Sequence, residues 1–229
     1  MLRVFIGYDP VESVAFHTLA HSILRLSTIP VSIAPIARHH LQGIYTRERG
    51  PTESTDFSLT RFLVPWLSGY EGWSLYMDCD MLCRVDLLEL ATSMEAQADK
   101  ALLVCKHDYV PKTPSKFLDR VQTVYPRKNW SSLMAFNNAH CRGLSPEYVN
   151  SATPAQLHRF AWLDDRQIGG LPLEWNWLVG EYAYNPAAKI VHFTIGGPYF
   201  EKYRDCDYAA DWFAEYESMH QPADLREKP

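Results

Sequence analysis

Short apolar runs alternating with segments of helical period constrain this 229-residue chain more than any other feature. "RVFIGYD" reads as a buried strand ending at Gly7, and a helix is predicted over residues 11–26, with Val14, Leu19, Ile23 and Leu26 toward one face. "VSIAP" reads as a second strand. "FSLTRFLVPWL" reads as a helix that Pro65 kinks or ends. Next come a strand "WSLYM", a helix "DLLELATSMEAQA", strands "ALLVC" and "SLMAFN", a late strand "KIVHFTIGG" and a terminal helix "YAADWFAEYESM". Strands alternating with helices predict an α/β fold with a mostly parallel, Rossmann-like sheet flanked by helices. Residues 38–55 read as a long polar loop, and the segment from Pro111 to Trp130 as a partly helical excursion. No interdomain linker is visible, so residues 1–220 are expected to form one domain, with 221–229 a disordered tail.

Composition is that of an ordinary globular protein, 47% hydrophobic and 21% charged, and a net charge of −5 offers no basic face for nucleic acid. No apolar stretch approaches the roughly 20 residues that a membrane helix needs, and the first ten residues lack the pattern of a signal peptide. The five cysteines are odd in number and not spaced as metal pairs. They are expected to be reduced and mostly buried, which places the chain in the cytoplasm.

Asp78 and Asp80 interrupt the apolar run "GWSLYMDCDMLCRVD". Residues i and i+2 of extended chain point the same way, so both carboxylates converge at a strand end, where open parallel sheets place their ligand crevice. Two such charges repel unless a proton or cation joins them, and a hard divalent ion does so. A second pair, Asp205 and Asp207, lies in the polar stretch "KYRDCDY", where a solvated turn accounts for it. His17 and His21 stand four apart without a glutamate between them and read as structural, and the loop pair His39–His40 has no assigned role.

"SLTRFLVPWL" followed by "WSLYMDCDMLCRVDLLEL" resembles the core of the GT-A glycosyltransferases, most closely glycosyltransferase family 8, the glycogenin and galactosyltransferase group. Arg61, Asp78, Asp80, Asp86, Leu87 and Leu90 follow that family's order. The resemblance implies a metal-dependent, retaining transfer of a sugar from a nucleotide sugar, a UDP-sugar by preference, to an acceptor of unknown kind, for which this group suggests a glycan. It implies Mn²⁺ or Mg²⁺ held by Asp78, Asp80 and His192. Imidazole suits Mn²⁺ better than Mg²⁺. It further implies donor contacts at Gly7, Tyr8, Asp9, Arg61 and Ser132, and around Gly196 and Gly197. The family's phosphate-gripping lysine is absent, and Lys202 is the candidate substitute. "WLDDRQIGGLPLEWNWL" is similar to the family's catalytic Asp-Gln-Asp element, which nominates Asp164, Asp165 and Gln167.

Two other readings remain. One is a relative that binds nucleotide or sugar without catalysis. The other is a phosphatase of the haloacid-dehalogenase type, for which Leu82 stands where a threonine is required.

Overall fold

A computed structural model describes residues 1–50, 53–113, 115–116, 120–121 and 126–221. The strands are β1 (Leu2–Tyr8), β2 (Val31–Ala37), β3 (Trp73–Met77), β4 (Met81–Cys83), β5 (Leu102–Cys105), β6 (Ser115–Lys116), β7 (Arg120–Val121), β8 (Leu133–Asn137), β9 (Ile168–Leu171), β10 (Trp177–Leu178) and β11 (Ile190–His192). The helices are α1 (Ser13–Leu26), α2 (Val64–Leu67), α3 (Leu88–Glu95), α4 (Pro146–Ser151), α5 (Pro154–His158) and α6 (Ala209–Met219).

The main sheet has six strands in the order β2-β1-β3-β8-β5-β9. The pairs β1–β2, β1–β3 and β5–β9 are parallel, and β8 runs antiparallel to both of its neighbours. The expected parallel α/β sheet is therefore present, with one reversed strand. Val4 and Ile6 pair with Leu75 and Met77, and all four are fully buried, as inward positions on a covered sheet must be. A smaller sheet, β10-β11-β4, packs beside the first. Its own apolar cluster, Leu82, Val191, Phe193, Tyr208 and Trp212, lies under α6.

Several local expectations are corrected. The predicted helix around Pro65 is a 3-10 turn, Thr60–Leu63, leading into α2. Pro65 sits in the first turn of α2, where its missing N–H costs nothing, so it opens that helix. The late strand stops at His192, and Thr194–Gly197 leave it in turns. The excursion after Pro111 contains the β6–β7 pair, and its remaining residues 114, 117–119 and 122–125 lie outside the described residues. So do residues 222–229 of the expected tail. The cysteines are unpaired, with Cys79, Cys83, Cys105 and Cys141 buried as expected and Cys206 half-buried. Among the described residues, no helix is long and apolar enough to cross a membrane.

α1 and α6 are joined by a carboxylate with two partners. Glu215 is 5% exposed and accepts from His21 Nδ1 at 2.6 Å and from Arg25 Nη2 at 2.5 Å. His21 thus has the structural role its spacing suggested. Burial alone would raise the Glu215 carboxyl above its usual 4.5, but the hydrogen bonds from Arg25 and His21 outweigh this and hold it below. A depressed carboxylate adds stability above its unfolded value and loses it as pH falls through the folded one. Urea unfolding of the native chain should therefore show stability declining below about pH 4.5, and Glu215→Gln should flatten that decline while lowering stability at neutral pH.

Candidate functional site

Asp78 and Asp80 span the crossing between the two sheets. β3 belongs to the large sheet and β4 to the small one, so Asp78, Cys79 and Asp80 are the link that changes sheets. Asp78 N donates to Ser132 O at 2.9 Å, continuing the β3–β8 ladder by one step. On the other side, Phe193 N donates to Asp80 O at 2.8 Å, and β11 pairs His192 with Met81. The pairing therefore brings His192 beside Asp80, and one ligand atom from each of Asp78, Asp80 and His192 lies within 4.8 Å of the others.

Asp78 is fixed by two donors. Tyr76 donates its hydroxyl to Asp78 Oδ1 at 2.7 Å, and Arg61 Nη1 lies 2.8 Å from the same oxygen. Arg61 is 6% exposed and is itself held in place. Its Nε donates to Phe57 O and its Nη1 to Ser131 O, and its guanidinium carbon lies 5.1 Å from the Tyr76 ring centre and 5.5 Å from that of Phe57. Burial pushes the Asp78 carboxyl up, the Arg61 charge pulls it down and the Asp80 charge pushes it up again, leaving it above the ordinary aspartate value.

His192 is oriented from behind. Asn176 Nδ2 donates to Ser132 Oγ at 2.9 Å, so its Oδ1 is the acceptor that faces His192 Nδ1 at 3.0 Å. Nδ1 therefore carries the proton in the neutral ring, and the Nε2 lone pair faces Asp80 Oδ1 at 3.3 Å. A lone pair and a carboxylate oxygen repel at that distance unless a cation or proton stands between them. Two carboxylates and one imidazole nitrogen form a donor set that suits Mn²⁺ or Mg²⁺, with imidazole favouring the former. The residues present therefore fit a divalent cation.

The other nominated residues are placed as follows. Gly7 ends β1 where a Cβ would lie 2.4 Å from the Phe57 ring and 2.8 Å from the Tyr76 hydroxyl, so only glycine fits. Tyr8 packs edge-on to Phe16 and His39. Asp9 is buried, and its two oxygens accept from Val11 N and Asp56 N, which ties residue 56 to the end of β1. Ser132 supports Asn176 and donates to Asn129 O at 2.7 Å. Gly196 has φ 153°, and a Cβ there would strike the Tyr203 ring. A Cβ on Gly197 would strike the Tyr199 ring, whose hydroxyl donates to the buried Glu12 at 2.6 Å. Lys202 is exposed, with Nζ 5.6 Å from the Tyr203 ring centre.

Asp164, Asp165 and Gln167 are not brought to the carboxylate pair. Asp164 and Gln167 form a capping box on the turn Asp165–Gln167, and Asp164 also pairs with Arg166. Asp165 pairs with Arg127 at 2.5 Å, its side chain 77% exposed. The register sets Ile168 opposite Leu102, at the start of β5, whereas Asp78 lies at the level of the end of that strand.

Three residues that hold the site were not nominated. Tyr76 lies two before Asp78 and so shares its face of the strand, a signal present in the sequence. Asn176 lies in the quoted stretch "WLDDRQIGGLPLEWNWL". His107 follows β5, buried, with Nδ1 2.9 Å from the Tyr182 hydroxyl, and burial above all holds it down at about 3, so it is neutral.

No family model matches the chain. Protein CDI of Arabidopsis thaliana is 46% identical over 229 residues, covering 96% of this chain and 87% of that protein. Among solved structures, the galactosyltransferase LgtC, in complex with donor and acceptor sugar analogs, is similar at a TM-score of 0.61 and 12% identity, over 98% of this chain and 99% of LgtC. The apo form of the glycosyltransferase GlyE of Streptococcus pneumoniae TIGR4 gives 0.61 at 14% identity over 95% of this chain, which spans 61% of GlyE. The apo bifunctional WbbM gives 0.56 at 16% identity over 94% of this chain, which spans about half, 49%, of WbbM. The fold is that of the GT-A glycosyltransferases.

The Arg61–Asp78 pair yields a direct test. Removing one partner of a buried ion pair leaves the other charge uncompensated, at a cost of about 3–5 kcal/mol. Arg61→Met should destabilise the fold by about that amount in urea unfolding, and adding Asp78→Asn should recover part of the loss.

Proposed function

The chain belongs to the family of Protein CDI from Arabidopsis thaliana, and on its GT-A fold we propose that it is a metal-dependent glycosyltransferase acting on a nucleotide sugar. We take the donor to be a UDP-sugar, the ion Mn²⁺ and the transfer retaining, as the resemblance to glycosyltransferase family 8 implies. The observation that carries this reading is the group Asp78, Asp80 and His192, with the Nε2 lone pair of His192 turned toward Asp80 at a crossing between sheets. The unpaired cysteines fit a reducing cytoplasm.

When bound, the ion supplies Lewis-acid stabilisation of the departing diphosphate. The chain's own residues provide the rest. Arg61 and Tyr76 fix the Asp78 carboxylate, which with Asp80 and His192 would hold the ion. Asn176, held by Ser132, keeps the proton of His192 on Nδ1. Asp9 fixes the turn after β1, and that turn, with Tyr8, is where the base is proposed to sit. Gly196 and Gly197 make room for the Tyr203 and Tyr199 rings beside the chain after His192, where the diphosphate is proposed to lie. Lys202 reaches it only by leaving the Tyr203 ring. Asp164 and Gln167 are assigned the capping role their hydrogen bonds give them. The missing lysine also favours a second reading, a relative that binds the donor without turning it over.

Calorimetry with UDP should show binding in Mn²⁺ and much weaker binding with a chelator, and UDP should outcompete GDP. Equal affinity with and without metal would remove the cation from the site, and tighter GDP binding would change the donor class. Asp78→Asn should abolish metal-dependent binding. Asn176→Ala, which frees the ring of His192, should weaken Mn²⁺ about 10–100-fold in an electron-spin titration with UDP present. Release of UDP from a UDP-sugar by the native chain distinguishes the transferase from the non-catalytic binder.

A further inference from the structure

The acceptor is unnamed, and the surface across the carboxylate pair from β1 bears on it. In the sheet order, β1 lies on one side of β3 and β5 on the other, so the ends of these strands flank Asp78 from opposite sides. Beyond the end of β5, His107 is buried, and its Nε2 has no hydrogen-bond partner. Two half-buried rings, Tyr109 and Tyr182, stand beside it, and a third, Trp177, stands against Tyr182. Tyr182 meets its Nδ1 at 2.9 Å, Tyr109 lies 6.4 Å from it and 5.9 Å from Tyr182, and Trp177 lies 5.1 Å from Tyr182, centre to centre.

This aromatic wall joins the carboxylate–imidazole group through Asn129. Asn129 Nδ2 donates to the Tyr109 hydroxyl at 2.8 Å and to Thr194 Oγ1 at 3.1 Å, and Thr194 stands two residues after His192. The carbonyl of Asn129 accepts from Ser132, which supports Asn176. Aromatic faces beside hydroxyl and amide groups are matched by a sugar ring, which offers an apolar C–H face and a rim of hydroxyls. Charge narrows the class. Asp108 is exposed in the chain between His107 and Tyr109, and Glu181, which accepts from Lys112 N at 3.0 Å, directly precedes Tyr182. Burial first, and then nearby negative charges including these two, push the Tyr182 hydroxyl up to about 12, while the Lys112 ammonium is held by Gly180 O. An anionic sugar would meet the exposed Asp108 carboxylate there, with the buried Glu181 carboxylate close by.

We propose that Tyr109, Trp177 and Tyr182, standing over His107, form the acceptor subsite and that it takes an uncharged saccharide. This rests on the sugar-transfer reading above, and the test separates the two. The full chain, held with UDP and Mn²⁺, is titrated with maltotriose, cellotriose, xylotriose and digalacturonate, followed by tryptophan fluorescence and by Mn²⁺ broadening of saccharide proton signals. Saturable binding of at least one neutral trisaccharide, with its protons broadened by the ion and digalacturonate excluded, is the expected result. Tyr182→Ala and Trp177→Ala should each weaken that saccharide about tenfold, the scale of one lost stacking contact, and leave UDP–Mn²⁺ affinity unchanged. The proton broadening needs no variant and so decides the matter even where a ring variant fails to fold. Normal UDP–Mn²⁺ binding with no saccharide bound, or digalacturonate bound as tightly as the neutral sugars, or unchanged saccharide affinity in folded ring variants, overturns the subsite and leaves the transferase reading standing. Failure of UDP to bind with Mn²⁺ overturns the transferase reading, and the subsite with it.

Discussion

The structure depends on holding two carboxylates close together where the chain passes from one sheet to another. An aspartate buried without compensation is costly, and two of them more so. The fold meets this with one buried guanidinium. Arg61 is fixed by two carbonyls and by the faces of Tyr76 and Phe57, so its charge is available to Asp78 without the side-chain freedom that weakens surface pairs. Gly7 belongs to the same arrangement, because any larger residue would displace the Phe57 ring and the Tyr76 hydroxyl. The end of β1, the 3-10 turn bearing Arg61 and the end of β3 are thus mutually fitted around one carboxylate.

Asp80 stands on the other side of the link. Its neighbour is His192, whose proton is drawn to the far side of the ring by Asn176. One carboxylate is neutralised from within the protein, and the other faces a nitrogen lone pair. The difference between the two explains why the group suits a single cation: Asp78 contributes a fixed, partly satisfied oxygen, and Asp80 and His192 contribute the electron pairs that are left facing one another.

Much of this was readable in the sequence, for reasons that differ by residue. Apolar runs gave the strands, because burial on both faces leaves little else for a parallel sheet to be made of. The direction of β8 was not readable, since a five-residue apolar run looks the same from either end. Nor did "WSLYM" and "MLC" show that they belong to different sheets. Asp78 and Asp80 were visible through the two-residue period, and Tyr76 was visible by the same period but passed over. The partners of Arg61, at Phe57, Asp78 and Ser131, combine one local contact with two distant ones, and no pattern announces the distant pair. Asp164 and Gln167 carry the spacing of a capping box, three residues apart before an apolar run, and the hydrogen bonds follow that local signal.

The charge around the link argues further for the order in which ligands must meet the site. Cys79, between the two aspartates, has its thiol pushed up by burial first and then by the charges of Glu12, Asp80, Asp78 and Asp9, so four carboxylates surround this one position. Arg61 compensates Asp78. Glu12 accepts from Tyr199, and Asp9 accepts from two backbone amides. A nucleoside diphosphate carries negative charge of its own and would be repelled by such a surface. The family-like lysine that would offset this is missing, and Lys202 lies exposed beside Tyr203. On the proposed reading, a divalent cation would convert a repulsive surface into an attractive one and so couple binding of the diphosphate to its own.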